Sequence, residues 1–199
     1  MNGNNSPADR VITRPAVEGD SAAIAALFLI SSDGLAEYIW SLSKPAGTSL
    51  LKHGAQRYAR SNTVFSFENC HLAERGGIVI GMLHAFKMTV DPDAAPESDP
   101  VLKPYSELED PGSLYISGLA VVKEFRSGGI GAKLMDCAED RARKESLTRL
   151  SLICFDQNTR ALAFYQRRGF ELRDQRPLVP HPSLHYPDGN ALLLVQELK

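Results

Sequence analysis

At 199 residues, 43% of them hydrophobic, the chain is long enough to bury the core of one globular domain and too short for several. A formal net charge of −2 excludes a general electrostatic pull toward nucleic acid or an anionic membrane surface. No apolar run reaches the roughly 18 residues that a membrane span requires.

The opening MNGNNSPADR lacks the charged-then-apolar order of a signal peptide and reads as a disordered tail over residues 1–9, ahead of a single domain over residues 10–199. Cys70, Cys137 and Cys154 are an odd number at unrelated spacings, each inside an apolar pattern. They predict buried, reduced thiols and a cytoplasmic protein.

In chain order, Val11 to Arg14 is a short β-like run. It leads into a helix over Glu18 to Ile30, where Ala22, Ala26 and Leu29 with Ile24, Leu27 and Phe28 make an apolar face. Gly34, Pro45 and Gly47 divide Asp33 to Arg60 into two or three short helices. Val64 to Arg75 and Ile78 to Thr89 read as two strands turning at Gly76-Gly77. Asp91 to Gly112, rich in proline and with seven carboxylates against one lysine, reads as a long loop. Such an acidic run is ordinarily solvated, and it could also attract a cationic amine.

The signals then sharpen. LYISGLAVV (Leu114 to Val122) is a strand, and Gly129 to Leu147 is a helix with Ile130, Leu134, Cys137, Ala138 and Ala142 on one stripe. RLSLICF (Arg149 to Phe155) is a buried strand. Asn158 to Arg168 is a short helix stopped by Gly169. Phe170 to Leu178 and Ala191 to Leu198 are two further strands joined by a proline-rich loop. The order argues a mixed sheet with helices on both faces.

Between one of those strands and its helix stands FRSGGIGAK, Phe125 to Lys133. Strand, glycine loop and helix together gather free N–H groups and the positive end of a helix dipole, a geometry that binds phosphate. The spacing fails the P-loop pattern, because Gly131 is followed by Ala132-Lys133-Leu134. It also fails the dinucleotide fingerprint, because Leu134 stands where the third glycine belongs. What remains is Arg126-x-x-Gly129-x-Gly131.

With LAV ahead of it, and DQNTRALAFYQRRGF after the following strand, this loop resembles the GNAT superfamily of acyl-CoA-dependent N-acetyltransferases from Leu114 to Phe170. The resemblance implies an α/β fold with a mixed, mainly antiparallel sheet of six to seven strands, flanked by helices and splayed between strands 4 and 5. It implies acetyl-CoA as cosubstrate, with no metal, and a small-molecule or peptide amine as acceptor. Leu119, Ala120 and Val121 would offer main-chain groups to the pantetheine arm, and Arg126, Ser127, Gly128, Gly129, Ile130 and Gly131 would wrap the pyrophosphate. Asn158 would reach the cofactor, and Tyr165 would protonate the departing thiolate. Gly118 fits a bulge that opens the strands, with close packing against a neighbour as its alternative. A homodimer is compatible with this resemblance, and neither nucleic acid nor a membrane is implied as partner.

The general base is where the resemblance breaks. The positions at which relatives carry a glutamate hold Ile153 and Tyr115 here. Deprotonation through water, Tyr115 or Ser117 is the expectation, with Glu37, Glu74 and His84 as remoter candidates. His181 and His185 have metal-like spacing, but Pro180, Pro182 and Pro187 deny them a shared helix face. Two other readings stay open: an acyl-CoA-binding module without turnover, and a nucleotide-binding oxidoreductase.

Overall fold

The computed structural model describes residues 10–89, 91–93 and 95–199. The expected tail over residues 1–9 lies outside them. Seven strands form one sheet in the order β1-β2-β3-β4-β5-β7-β6, with helices beside it. They are β1 (Ile12–Pro15), β2 (Cys70–Arg75), β3 (Ile78–Lys87), β4 (Leu114–Val121), β5 (Arg149–Phe155), β6 (Glu171–Pro177) and β7 (Asn190–Glu197). β1 with β2, β2 with β3, β5 with β7 and β6 with β7 pair antiparallel, whereas β4 and β5 are parallel. The parallel register runs only from Leu114–Leu150 to Ile116–Leu152. This is the expected fold class. By its internal contacts the chain groups into two compact units.

The described part of the first unit is residues 10–84 and 118–137. Gly76 and Gly77 have φ of 58° and 80°, the left-handed pair that a two-residue hairpin turn between β2 and β3 demands. Three helices precede that hairpin: α1 (Ser21–Ser31), α2 (Leu35–Ser43) and α3 (Leu50–Tyr58). Their apolar faces bury Ile24, Leu27, Phe28, Trp40 and Tyr58 against Leu72 and Met82. The Phe28 ring stacks with Trp40 at 6.0 Å and meets the edge of Tyr58 at 5.6 Å. A Cβ on Gly54 would run into the Trp40 ring, so a glycine is what lets α3 close on α2.

The expected strand over Val64 to Arg75 begins only at Cys70. Before it, Ser66 caps a 3₁₀ turn at Phe67–Asn69, its hydroxyl accepting from the Glu68 N–H, while the Glu68 carboxylate accepts from the Asn62 N–H at 2.7 Å. Side chains satisfy the backbone here, so no ladder is needed.

The second unit is made of residues 85–117 and 138–199. Its core gathers Leu108, Phe155, Leu178, Ala191, Leu193 and Val195. The segment expected as a solvated loop is pinned in two places. Asp99 Oδ1 accepts from the N–H groups of Val101 and Leu102, leading into the short helix α4 (Lys103–Ser106), and Leu108 is fully buried just beyond it. Asp110 then takes Arg149 by two bonds of 2.9 and 3.1 Å. At the start of the parallel pair the hydroxyls of Ser113 and Ser151 meet at 2.6 Å, both buried.

Helix α5 (Ile130–Lys144) runs from the first unit into the second, with Leu134, Met135, Ala138 and Ala142 fully buried. Cys70 and Cys154 are buried thiols as expected, but Cys137 is half-buried at the edge of the stripe.

Candidate active site

In the first unit, β4 hands the chain to a 3₁₀ turn at Lys123–Phe125 and then to the glycine loop. Arg126 is extended (φ −68°, ψ 160°). Ser127 and Gly129 follow with φ of 69° and 75°, both in the left-handed region. Alternating handedness turns successive N–H groups to one side, a concavity suited to an anion. α5 starts at once, and its first bond beyond the loop runs from the Lys133 N–H to the Gly129 carbonyl at 3.1 Å. The N–H groups of Ile130, Gly131 and Ala132 therefore stand free at the positive end of a 15-residue helix. Ile130 is buried and anchors this end, whereas Arg126 to Gly129 are exposed.

Arg126 Nε donates to the Val121 carbonyl at 2.8 Å, laying the guanidinium back along the end of β4. The carbonyl of Val121, one of the three residues expected to offer main-chain groups to the pantetheine arm, is thus already engaged. Leu119 is half-buried and Ala120 buried, and the Ala120 carbonyl comes close enough to β3 that a Cβ on Gly81 would lie 3.1 Å from it. Gly118 takes the packing alternative, since a Cβ there would stand 2.9 Å from both the Phe28 ring and Ser31 Oγ. The glycine lets β4 lie directly on α1.

In the second unit, Asn158 caps helix α6 (Thr159–Arg167), its Oδ1 accepting from the Ala161 N–H at 3.2 Å. Gly169 (φ 84°) ends the helix, and the Phe170 N–H returns to the Tyr165 carbonyl at 3.1 Å. The Tyr165 ring lies between Phe164 at 5.3 Å and Phe170 at 5.5 Å, which fixes the phenol's direction. No residue of α6 is buried; Ala161, Leu162, Ala163, Phe164 and Tyr165 are all half-buried. An amphipathic helix whose apolar face the protein covers only in part has room for an apolar ligand.

Tyr115 packs against Phe86 at 5.5 Å, and burial, with the nearby Glu109 and Tyr105, pushes its phenol well above the usual value. A phenol that resists ionisation is a poor proton acceptor. Ser117 is half-buried on the same strand. Of the remoter base candidates, Glu74 is engaged by Arg14 at 2.8 Å, and His84 is fully buried with a ring nitrogen 3.0 Å from the Val64 carbonyl. Glu37 is exposed on α2. His181 Nδ1 accepts from the Ser183 N–H at 3.1 Å, and among the described residues no three His, Cys, Asp or Glu side chains group as a metal site. Sequence reasoning missed Asp156, which binds Asn190 through Oδ2.

The model of the acetyltransferase (GNAT) family matches residues 36–170. The chain belongs to that family. Among curated proteins, the chain is 35% identical over 83 residues to the uncharacterized protein YxbD of Bacillus subtilis (strain 168), covering 36% of this chain and 52% of that one. The chain spans about half the length of this curated relative. Among solved structures it is similar to an N-acetyltransferase from Staphylococcus aureus Mu50, at 17% identity and a TM-score of 0.63, over 92% of this chain and 99% of that one. It is also similar to the acetyltransferase yncA from Salmonella typhimurium, solved with its cofactor acetyl-CoA, at 16% identity and a TM-score of 0.61, over 95% and 94%. At these identities the solved structures speak to the fold.

Proposed function

We propose that this acetyltransferase moves the acetyl group of acetyl-CoA onto a primary amine by direct transfer. One observation carries the reading: Ser127 and Gly129 turn left-handed immediately ahead of α5, so that consecutive N–H groups converge at a helix start. A pyrophosphate is the anion that such a run of donors fits. The Salmonella relative with acetyl-CoA supports the choice of donor.

The thioester supplies an activated acetyl group, and the chain's residues hold it and manage the protons. A strand N–H near Leu119 or Ala120 stabilises the developing oxyanion, a contact whose loss costs about 10²–10³ in rate. Asn158 binds the donor beside its capping role. The Tyr165 hydroxyl gives its proton to the departing sulfur. Tyr115 is unfit to take the amine's proton, which leaves water or Ser117 to carry it away. Direct transfer needs no thiol for an acyl-enzyme; Cys70 and Cys154 are buried, and Cys137 is half-buried on α5.

The test is free-thiol release from acetyl-CoA across a panel of polyamines, amino acids, aminoglycosides and peptide N-termini. Amine-dependent release is expected with at least one class. Acetyl-CoA binding without release from any amine would make the protein a binding module instead.

A further inference from the structure

The turn that carries β5 into α6 is fastened to the end of the loop that joins β6 to β7. Asp156 and Asn190 hold each other by three bonds. The Asp156 N–H donates to the Asn190 carbonyl at 3.0 Å, and the Asn190 N–H and side-chain amide both donate to Asp156 Oδ2 at 2.9 Å. Beside them, the Gln157 side-chain amide donates to the Asp188 carbonyl at 2.8 Å and to its Oδ1 at 2.5 Å. Gly189, with φ of 97°, lies against Asp156 so closely that a Cβ would strike Oδ1. The Gly189 carbonyl accepts from the Leu178 N–H at 2.9 Å, closing the loop at its base.

Oδ1 of Asp156 is buried and, among the described residues, has no hydrogen-bond partner. The three bonds between Asp156 and Asn190 fix the register of two segments 34 residues apart. One is the turn Phe155–Asn158, itself closed by the Asn158 N–H bonding the Phe155 carbonyl at 3.0 Å. The other is the Leu178–Asn190 loop, whose Tyr186 ring packs on Phe155 at 5.3 Å.

We propose that the Leu178–Asn190 loop is one of the segments that select the acceptor and that Asp156 is a positioning residue: its clasp on Gly189 and Asn190 joins that loop to the turn that presents Asn158, so that donor and acceptor recognition are set together. This rests on the function proposed above.

Asp156→Ala is expected to raise both the Kd for acetyl-CoA and the acceptor KM about 10-fold, as loss of a few hydrogen bonds to a carboxylate should. The kcat should stay within about threefold, since the reacting groups are untouched. Hydrogen exchange across Leu178–Asn190 should accelerate. Asn190→Asp, which sets two carboxylates face to face, should show the same defects. The pair Asp156→Asn with Asn190→Asp should restore all three readouts, because the amide and the carboxylate have simply traded places.

Wild-type protein that neither binds nor turns over acetyl-CoA would refute the functional reading. With wild type active, normal constants in Asp156→Ala despite a loosened loop would refute the coupling. So would a double variant that stays as defective as Asp156→Asn alone, for then the carboxylate at position 156, and not the clasp, is what matters. If Asp156→Ala does not fold, Gly189→Ala perturbs the same clasp from the other side and should raise both constants.

Discussion

Gly129 can be tested against a control that the fold supplies. Its φ is 75° and a Cβ there would meet nothing within 4 Å; Gly47, in the turn between α2 and α3, has the same φ and the same open surroundings. Valine at either position costs only the left-handed backbone strain of an L-residue, about 1–2 kcal/mol. At about 2–4 °C per kcal/mol for a chain of this size, both Tm values should fall by roughly 2–8 °C. The two must part when ligand is added. Acetyl-CoA at a hundred times its Kd stabilises a folded protein by about 2.7 kcal/mol, hence by roughly 5–11 °C. Wild type and Gly47→Val should both gain it. Gly129→Val should gain none, because the strained residue rearranges the N–H groups that would hold the pyrophosphate. Thermal-shift titration reads all three proteins in one afternoon. A Gly129→Val protein that keeps the full ligand shift would refute the assignment of the loop.

The remaining predictions concern protons. Tyr165→Phe should lower kcat by about 10² with KM for acetyl-CoA little changed, in steady-state thiol release; a Phe variant with full kcat returns Tyr165 to a packing role. Because burial pushes the Tyr115 phenol up, Tyr115→Phe should leave a pH–rate profile that rises toward the amine's own pKa unchanged, and a lost limb would make Tyr115 the base. Arg14 donates two bonds to Asp20, at 2.7 and 3.0 Å, and holds its carboxyl below the usual range. A depressed carboxylate stabilises the fold above its ordinary pKa and ceases to do so as pH falls through the lowered one. Asp20→Asn should therefore cost about 1.5–3 kcal/mol near neutrality by urea denaturation. That gap should close below about pH 4, and one that persisted in acid would mean the ion pair is not its source.

What could be read from the sequence was local. Gly76-Gly77, the Arg126–Gly131 loop, β5 and the cap of α6 are each set by neighbours a few residues away, and all fell where expected. Val64 to Asn69 misled because Val64, Phe65 and Phe67 favour a strand, whereas the hydroxyl of Ser66 and the carboxylate of Glu68 satisfy the backbone without one. The acidic stretch after Asp91 hid its anchors, since Leu108 is buried by residues far along the chain. Gly118 was ambiguous for the same reason: its purpose is Phe28 and Ser31, and no spacing rule places α1 above it. Asp156 heads the motif DQNTRALAFYQRRGF, but nothing announced its clasp, whose partner lies 34 residues away in a loop with no motif.

Trp40 is the chain's single tryptophan, 2% exposed, stacked on Phe28 and roofed by Gly54. Its emission is thus a single-site optical probe confined to the packing of α1, α2 and α3. A buried indole among aromatic rings should fluoresce at the blue end of its range and resist collisional quenchers until those helices part. The unit of residues 85–117 and 138–199 contributes tyrosines alone to the signal. A denaturation curve followed by tryptophan emission therefore reports one unit, and circular dichroism reports both. Overlaid, the two traces show directly whether the units come apart as one cooperative body or in succession.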